Sequence, residues 1–267
     1  VEDVHAYYMP LGNERYRATK ATQSPWDPRM QHGGPPAALA AAVIERSHPR
    51  PEMRIARISL DFLGPIPLGE VGVRTRVVRP GRRVELIEAA LECDGREAVV
   101  ARAWRIALSP EMHRILPEGH TAPHAPVPPL ASATERRFMP ENPFGYGDAL
   151  ETRFISDPSE GEEAAQVWMR PRVPLIAGAS LGGLERLLIG ADSANGFSSR
   201  LAFHEWLFVP PTLTVTLHRY PSGEWVFMRA ITTISDDGIG FTESLLADER
   251  GFVGAGAHPL LVEPRAL

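Results

Sequence analysis

The chain has 267 residues, with 28 Lys or Arg against 33 Asp or Glu, giving a formal net charge of −5. That length suits one large domain or two modest ones, and a pI near 6.0 excludes the basic footprint needed for nucleic acid or an anionic membrane surface. No apolar run approaches the ~20 residues that cross a bilayer, and the lone Cys93 excludes an internal disulfide framework or a cysteine-built zinc site. The amino end lacks a basic-then-apolar secretory signature. Val1 in place of Met points to processing or trimming, and a cytoplasmic location is the default expectation.

The first strong element is a helix predicted from Gly34 to Arg46, with Pro35 and Pro36 in its first turn and an alanine-rich body. It is apolar almost all round, so it belongs inside something. Four strands are predicted next: Arg54 to Phe62, Gly69 to Val78, Arg83 to Cys93 and Glu97 to Ala107. Asp94-Gly95 between the last two is the strongest hairpin signature in the chain. Pro110, Pro117, Pro123, Pro126, Pro128, Pro129, Pro140 and Pro143 then crowd one stretch. Proline lacks an amide donor and disfavours helix before it, so residues 109–148 read as a connector between domains 1–108 and 149–267.

The second half repeats the order. Strands at Thr152 to Ile155 and Gln166 to Arg170 precede a helix from Leu181 to Ile189. Strands follow at Arg200 to Phe208, Thr212 to Arg219, Trp225 to Ile234, Gly240 to Ala247 and Phe252 to Val262. The stretch Asp94 to Ala103 is echoed by Glu249 to Ala257, and a period this long means two copies of one fold. An apolar helix followed by an antiparallel meander is buried most simply when the sheet curls around it. The expected class is therefore α+β: a tandem (double) hotdog, each unit a long antiparallel sheet wrapped around a central helix.

Trp26 to Pro35 leading into the alanine-rich helix resembles the amino half of thioesterase-like double-hotdog proteins. Ala191 to Gly196, Leu217 to Trp225 and Asp248 to His258 resemble the second helix, a strand pair and the final hairpin of the same family. The family is similar to the type II acyl-CoA thioesterases. The resemblance implies hydrolysis of acyl-CoA to free acid and CoA in lipid metabolism, with no metal or organic cofactor. It also implies a water oriented by an Asp, a Thr and a Gln. By position the Asp falls on Asp192; the Gln falls on His258, a departure; and the Thr falls near Pro210, with Thr212 the nearest hydroxyl.

The residues themselves allow two uses each. Asp192 sits among Leu187, Leu188, Ile189 and Ala191, whose apolar character would raise its pKa for work on water; it also reads as a helix cap beside Ser193 and Asn195. His258 serves as a water-orienting imidazole or as a packed strand residue. Thr212 and Thr214 suit a strand in any case. Gly33 and Gly34, with Gly182-Gly183 as counterpart, expose helix-end amides for a thioester oxygen or simply admit close packing. Asp27 and His32 resemble the pair of (R)-specific enoyl-CoA hydratases, which defines one alternative, with both residues at the substrate. A non-catalytic acyl-CoA- or lipid-binding module is the other. Arg82-Arg83 and Arg136-Arg137 are candidate phosphate contacts. Trp104, Trp168, Trp206 and Trp225 read as core or groove aromatics, Cys93 as an inert packed thiol and Glu162-Glu163 as a solvated turn. Unpaired sheet edges point to a homodimer.

Overall fold

The computed structural model describes residues 5–121, 123–139 and 141–265; Val1 and the connector proline Pro140 lie outside them. In chain order the first half comprises β1 (Tyr8–Gly12), β2 (Arg15–Ala18), α1 (Gly34–Ser47), β3 (Met53–Phe62), β4 (Glu70–Arg79), β5 (Val84–Cys93) and β6 (Arg96–Ala107). Then come α2 (Met112–Ile115), β7 (Thr134–Glu135), α3 (Gly145–Ala149), β8 (Leu150–Ser156) and β9 (Ala165–Pro171). The chain continues with α4 (Gly183–Ala191), α5 (Ala194–Ser198), β10 (Trp206–Val209), β11 (Thr212–Leu217), β12 (Val226–Ile234), β13 (Ile239–Asp248) and β14 (Gly251–Pro264).

One antiparallel sheet carries the molecule, in the order β1-β2-β4-β5-β6-β3-β11-β14-β13-β12-β9-β8-β7, with β10 also on β14. α1 is buried from Gly34 to Ile44, as an all-round apolar helix demands, because any face left outside would expose apolar area to water. Each half-sheet curls around its own helix, which is the double-hotdog arrangement. β11 pairs with β3 on one side and β14 on the other, so the two halves share a continuous sheet. The β5–β6 turn forms at Asp94 and Gly95, both at positive φ (50° and 76°), the conformation a type I′ hairpin requires.

The helices α1 and α4 lie side by side and antiparallel. At one end Gly34 is so close to the last turn of α4 that a Cβ there would stand 2.1 Å from the Ile189 carbonyl oxygen. At the other end Glu45 of α1 faces Glu185 at the start of α4. This places the N-terminus of α1 against the C-terminus of α4, and that junction becomes the candidate site.

Two sequence expectations change. The strand expected from Arg200 to Phe208 begins only at Trp206, and residues 200–205 form bends and turns. Leu201 and Phe203 there pack on Trp26 and Phe208, so their apolar alternation serves a loop cluster rather than a pleat. The proline-rich stretch is also no bare tether. Val127, Leu130 and Ala133 pack on Trp168 and Phe227, and the Trp168 indole donates to the Pro128 carbonyl at 3.1 Å. The same stretch ends in α3, which reaches the site.

Candidate active site

Asp192 caps the C-terminal end of α4 with its backbone in helical conformation, and its side chain is buried. Oδ2 lies 3.3 Å from Nδ1 of His32, while Oδ1 is buried without a hydrogen-bond partner among the described residues. Burial raises the carboxyl from 3.8 to about 7, and the Gly33 backbone amide opposes this only in part. A helix C-terminus is also the negative end of the dipole and disfavours a carboxylate there. The side chain is thus kept near its titration midpoint at neutral pH, where a general base is most useful.

His32 precedes α1. Its Nδ1 accepts from the Gly34 amide at 3.2 Å, which leaves the ring proton on Nε2. Burial, reinforced by nearby His258, holds the imidazole neutral by lowering it to about 3. Oδ2 of Asp192 faces this same Nδ1, whose lone pair is already taken by the Gly34 amide. The ring is fixed from behind by Tyr146 of α3, stacked at 3.9 Å between centroids and nearly coplanar, 2° apart. The Tyr146 hydroxyl donates to the Ile189 carbonyl at 2.7 Å and meets Ser193 Oγ at 2.8 Å. One side chain from the connector therefore holds His32, the last turn of α4 and the α4–α5 turn together. Sequence reasoning missed it, because Tyr146 sits in a proline-rich stretch; the small Gly145 and Gly147 flanking it were the available signal.

The other candidates are distributed unevenly. Gly33 and Gly34 border the Asp192–His32 pair. Alanine at Gly33 would put a Cβ 2.7 Å from Asp192 Oδ2 and 2.8 Å from Phe62 Cζ. Pro35 and Pro36 carry no amide hydrogen and Ala37 donates to the Gly33 carbonyl, which leaves at this helix end the Gly33 and Gly34 amides that Asp192 and His32 Nδ1 already engage. His258 is buried on β14 opposite Thr242, with both ring nitrogens unpartnered among the described residues. Burial lowers it to about 4, and the Ala191 carbonyl offsets that without a well-formed hydrogen bond. Thr212 starts β11, and its hydroxyl donates to the Leu60 carbonyl at 2.5 Å. Thr214 pairs with Ser59 and Ala257 in the sheet. Asp27 is held by Arg29, with Nη2 at 2.7 Å, which pulls its carboxyl down to about 2. Gly183 at the start of α4 is tightly packed too, a Cβ there standing 2.2 Å from the Pro221 carbonyl oxygen.

A cavity of about 560 Å³ opens onto Asp192, His32 and Gly33. Its walls are mostly apolar and aromatic, including Trp26, Phe62, Phe138, Phe203 and Phe208. That is the size and character of a pocket for an apolar ligand with a few polar anchors. Among the expected phosphate contacts, Arg136 is paired with Asp157 and Glu160, and Arg137 with Asp148. Arg82 and Arg83 lie in the β4–β5 turn, outside the cavity wall. Trp168 and Trp225 are buried, Cys93 is a buried free thiol pushed up to about 11 by burial, and Glu162 and Glu163 are exposed. Among the described residues no cluster of three or more His, Cys, Asp or Glu could hold a metal ion, and no helix is long and apolar enough to cross a membrane.

Family models match both halves: an acyl-CoA thioesterase N-terminal domain over residues 22–106 and an acyl-CoA thioesterase C-terminal domain over residues 110–262. No curated protein sequence matches the chain significantly. Among solved structures, a hot-dog-fold protein of unknown function from Alicyclobacillus acidocaldarius superposes with TM-score 0.73 at 17% identity, covering 97% of this chain and 96% of that one. A provisionally named thioesterase II from Thermobifida fusca gives 0.72 at 17%, covering 95% of each chain. Acyl-CoA thioesterase II from Mycobacterium marinum gives 0.69 at 15%, covering 97% of this chain and 96% of that one. The structural likenesses establish the fold, the family models establish the class of reaction, and the non-catalytic binding module gives way: the chain belongs to the acyl-CoA thioesterase family, enzymes that hydrolyse acyl-CoA thioesters.

Proposed function

We propose that Asp192 activates the hydrolytic water of an acyl-CoA thioesterase reaction. The observation that carries this reading is a buried carboxylate on an apolar cavity wall, with one oxygen against His32 and the other unpartnered. In the ionised form, Oδ1 takes a proton from water as the water oxygen attacks the thioester carbon. The tetrahedral intermediate then expels the CoA thiolate, which takes the proton back from Asp192, leaving free acid and CoA. The Gly33 and Gly34 amides, at the positive end of α1, are engaged by Asp192 and by His32 Nδ1, so they position the pair rather than stand free for the thioester oxygen. His32 packs against Oδ2, and buried His258 lies near the pair from β14. Thr212 has no part in this scheme, since its hydroxyl is committed to Leu60.

The hydratase alternative would need Asp27 free to work with His32. Asp27 is bound to Arg29 and His32 faces Asp192, which favours hydrolysis. The apolar cavity suits a neutral, hydrocarbon acyl group. A cytoplasmic homodimer acting in lipid metabolism completes the reading; light scattering in solution tests the dimer.

The test is thiol release over saturated acyl-CoAs of increasing length, with wild type beside Asp192→Asn. Release by wild type that falls at least about 100-fold in the variant supports the reading. Equal release by the two overturns the role of Asp192.

A further inference from the structure

The cavity beside Asp192 is apolar, so the charged end of an acyl-CoA has to be received beyond its edge. Just beyond β14, Arg265 lies at the edge of the cavity on two of its lining residues. Its guanidinium carbon is 5.6 Å from the Trp26 ring centroid and 5.2 Å from that of Phe203. The two rings pack against each other with centroids 4.3 Å apart and planes tilted by 35°. Arg265 Nη1 donates to the Phe203 carbonyl at 3.2 Å, and the Arg265 backbone amide donates to the Glu205 carbonyl at 2.8 Å. The side chain is thus preorganised by two aromatic rings and one hydrogen bond, and its backbone is fixed by another. No carboxylate among the described residues pairs with it. The Nε and Nη2 donors point to no other partner among the described residues, the pair that engages a phosphate in bidentate fashion.

The strand geometry places this group at a useful remove from the chemistry. β14 carries His258 beside the Asp192 junction, Leu261 on the cavity wall, and ends at Pro264. At ~3.3 Å per residue, Arg265 stands roughly 23 Å along the strand from His258. An extended pantetheine arm has to bridge a gap of this kind between its thioester and its phosphates. The neighbouring cation at the same edge, Arg29, is already neutralised by Asp27.

We propose that Arg265, seated on Trp26 and Phe203, is the subsite for the phosphorylated nucleotide end of CoA. This rests on the acyl-CoA reading above and deepens it by assigning the carrier end of the substrate. Arg265 supplies a fork for phosphate.

The test compares Arg265→Gln with wild type on octanoyl-CoA and on octanoyl-N-acetylcysteamine, the same acyl thioester without nucleotide or phosphates. The expected result is KM raised about tenfold for octanoyl-CoA, with kcat unchanged and the N-acetylcysteamine substrate unaffected. Equal changes on both substrates, or none on octanoyl-CoA, overturn the assignment. Calorimetric titration with adenosine 3′,5′-bisphosphate reads the subsite without turnover. Binding to wild type that weakens at least tenfold in the variant supports the assignment even if hydrolysis fails, and no binding to wild type overturns it. Arg265→Lys, which keeps the charge and loses the planar fork, is expected to fall between the two.

Discussion

At the residue scale the central feature is a carboxyl held where water cannot stabilise its charge. Because Asp192 is raised from 3.8 to about 7 by burial, the folded protein holds its proton more tightly than the unfolded chain. Its ionisation therefore lowers stability progressively as pH rises from about 4 to about 7, and the full penalty persists above that. At 1.36 kcal/mol per unit, the three-unit shift corresponds to a penalty of up to about 4 kcal/mol. Asp192→Asn is expected to inactivate the enzyme and yet stabilise it at pH 8 by up to that amount, with the gain shrinking towards pH 4; urea denaturation at the two pH values measures it. Tyr146 acts through His32. Tyr146→Phe keeps the stacked ring, so kcat is expected to stay within about threefold of wild type. Tyr146→Leu removes the stack and is expected to lower kcat at least tenfold, shifting the pH midpoint while KM holds. A pH–rate profile of the two variants separates this role from simple loss of folding. Asp192 was singled out mainly by the family resemblance, with its apolar neighbours in support, and nothing in the sequence joined it to His32, 160 positions away; the antiparallel meeting of α1 and α4 brings the two together.

At the element scale, glycine sets how closely those helices approach. A Cβ at Gly34 would meet the Ile189 carbonyl at 2.1 Å, and backbone cannot swing aside as a flexible side chain does. Gly34→Ala is expected to cost at least about 1–3 kcal/mol, the range of core overpacking, and to reduce thiol release by displacing Asp192 from His32. Thermal unfolding with a parallel activity assay checks both. The strands β3 to β6 were readable to within a residue or so because Asp94-Gly95 and the proline turns mark their ends. The β1–β2 hairpin was not, since its turn uses Asn13 and Glu14 at φ of 52° and 53°, and Glu14 carries none of the glycine signature of such turns. The short α5 was also hidden. It buries Asn195, whose side chain donates to the Phe208 carbonyl, so tertiary contact rather than local propensity holds it.

At the scale of the whole molecule, the β3–β11 pairing and the α1–α4 contact make the two halves one cooperative body. Separated halves would each expose a long sheet edge and an apolar helix flank, so each alone is expected to aggregate, while the intact chain unfolds in a single calorimetric transition. Tandem repetition was legible from the repeated helix-and-meander order. The packing of the connector on Trp168 was not, because prolines signal only what a segment cannot form. Edge accessibility bears on dimerisation: β1 is bonded on its outer side only at its start, through the Tyr7 and Tyr8 amides and the Tyr8 carbonyl to residues 174–177, while Met9 to Gly12 are exposed. Two buried neutral histidines add an acid limb. His32 and His258 are lowered to about 3 and about 4, so the unfolded chain binds more protons than the folded one between pH 6.5 and those values. Stability from these groups is complete above pH 6.5 and lost as pH falls, towards 4 for His258 and towards 3 for His32. His258→Gln is expected to remove its share, so the variant gains on wild type in urea denaturation at pH 5 relative to pH 8.

The most direct measurement is the pH dependence of kcat/KM for thiol release by the wild-type enzyme from pH 5.5 to 8.5. A buried carboxylate acting as base requires activity to rise with pH and level off above a midpoint near 7, within about one unit. A profile that is flat or falls across that range would contradict Asp192 as the group that activates water.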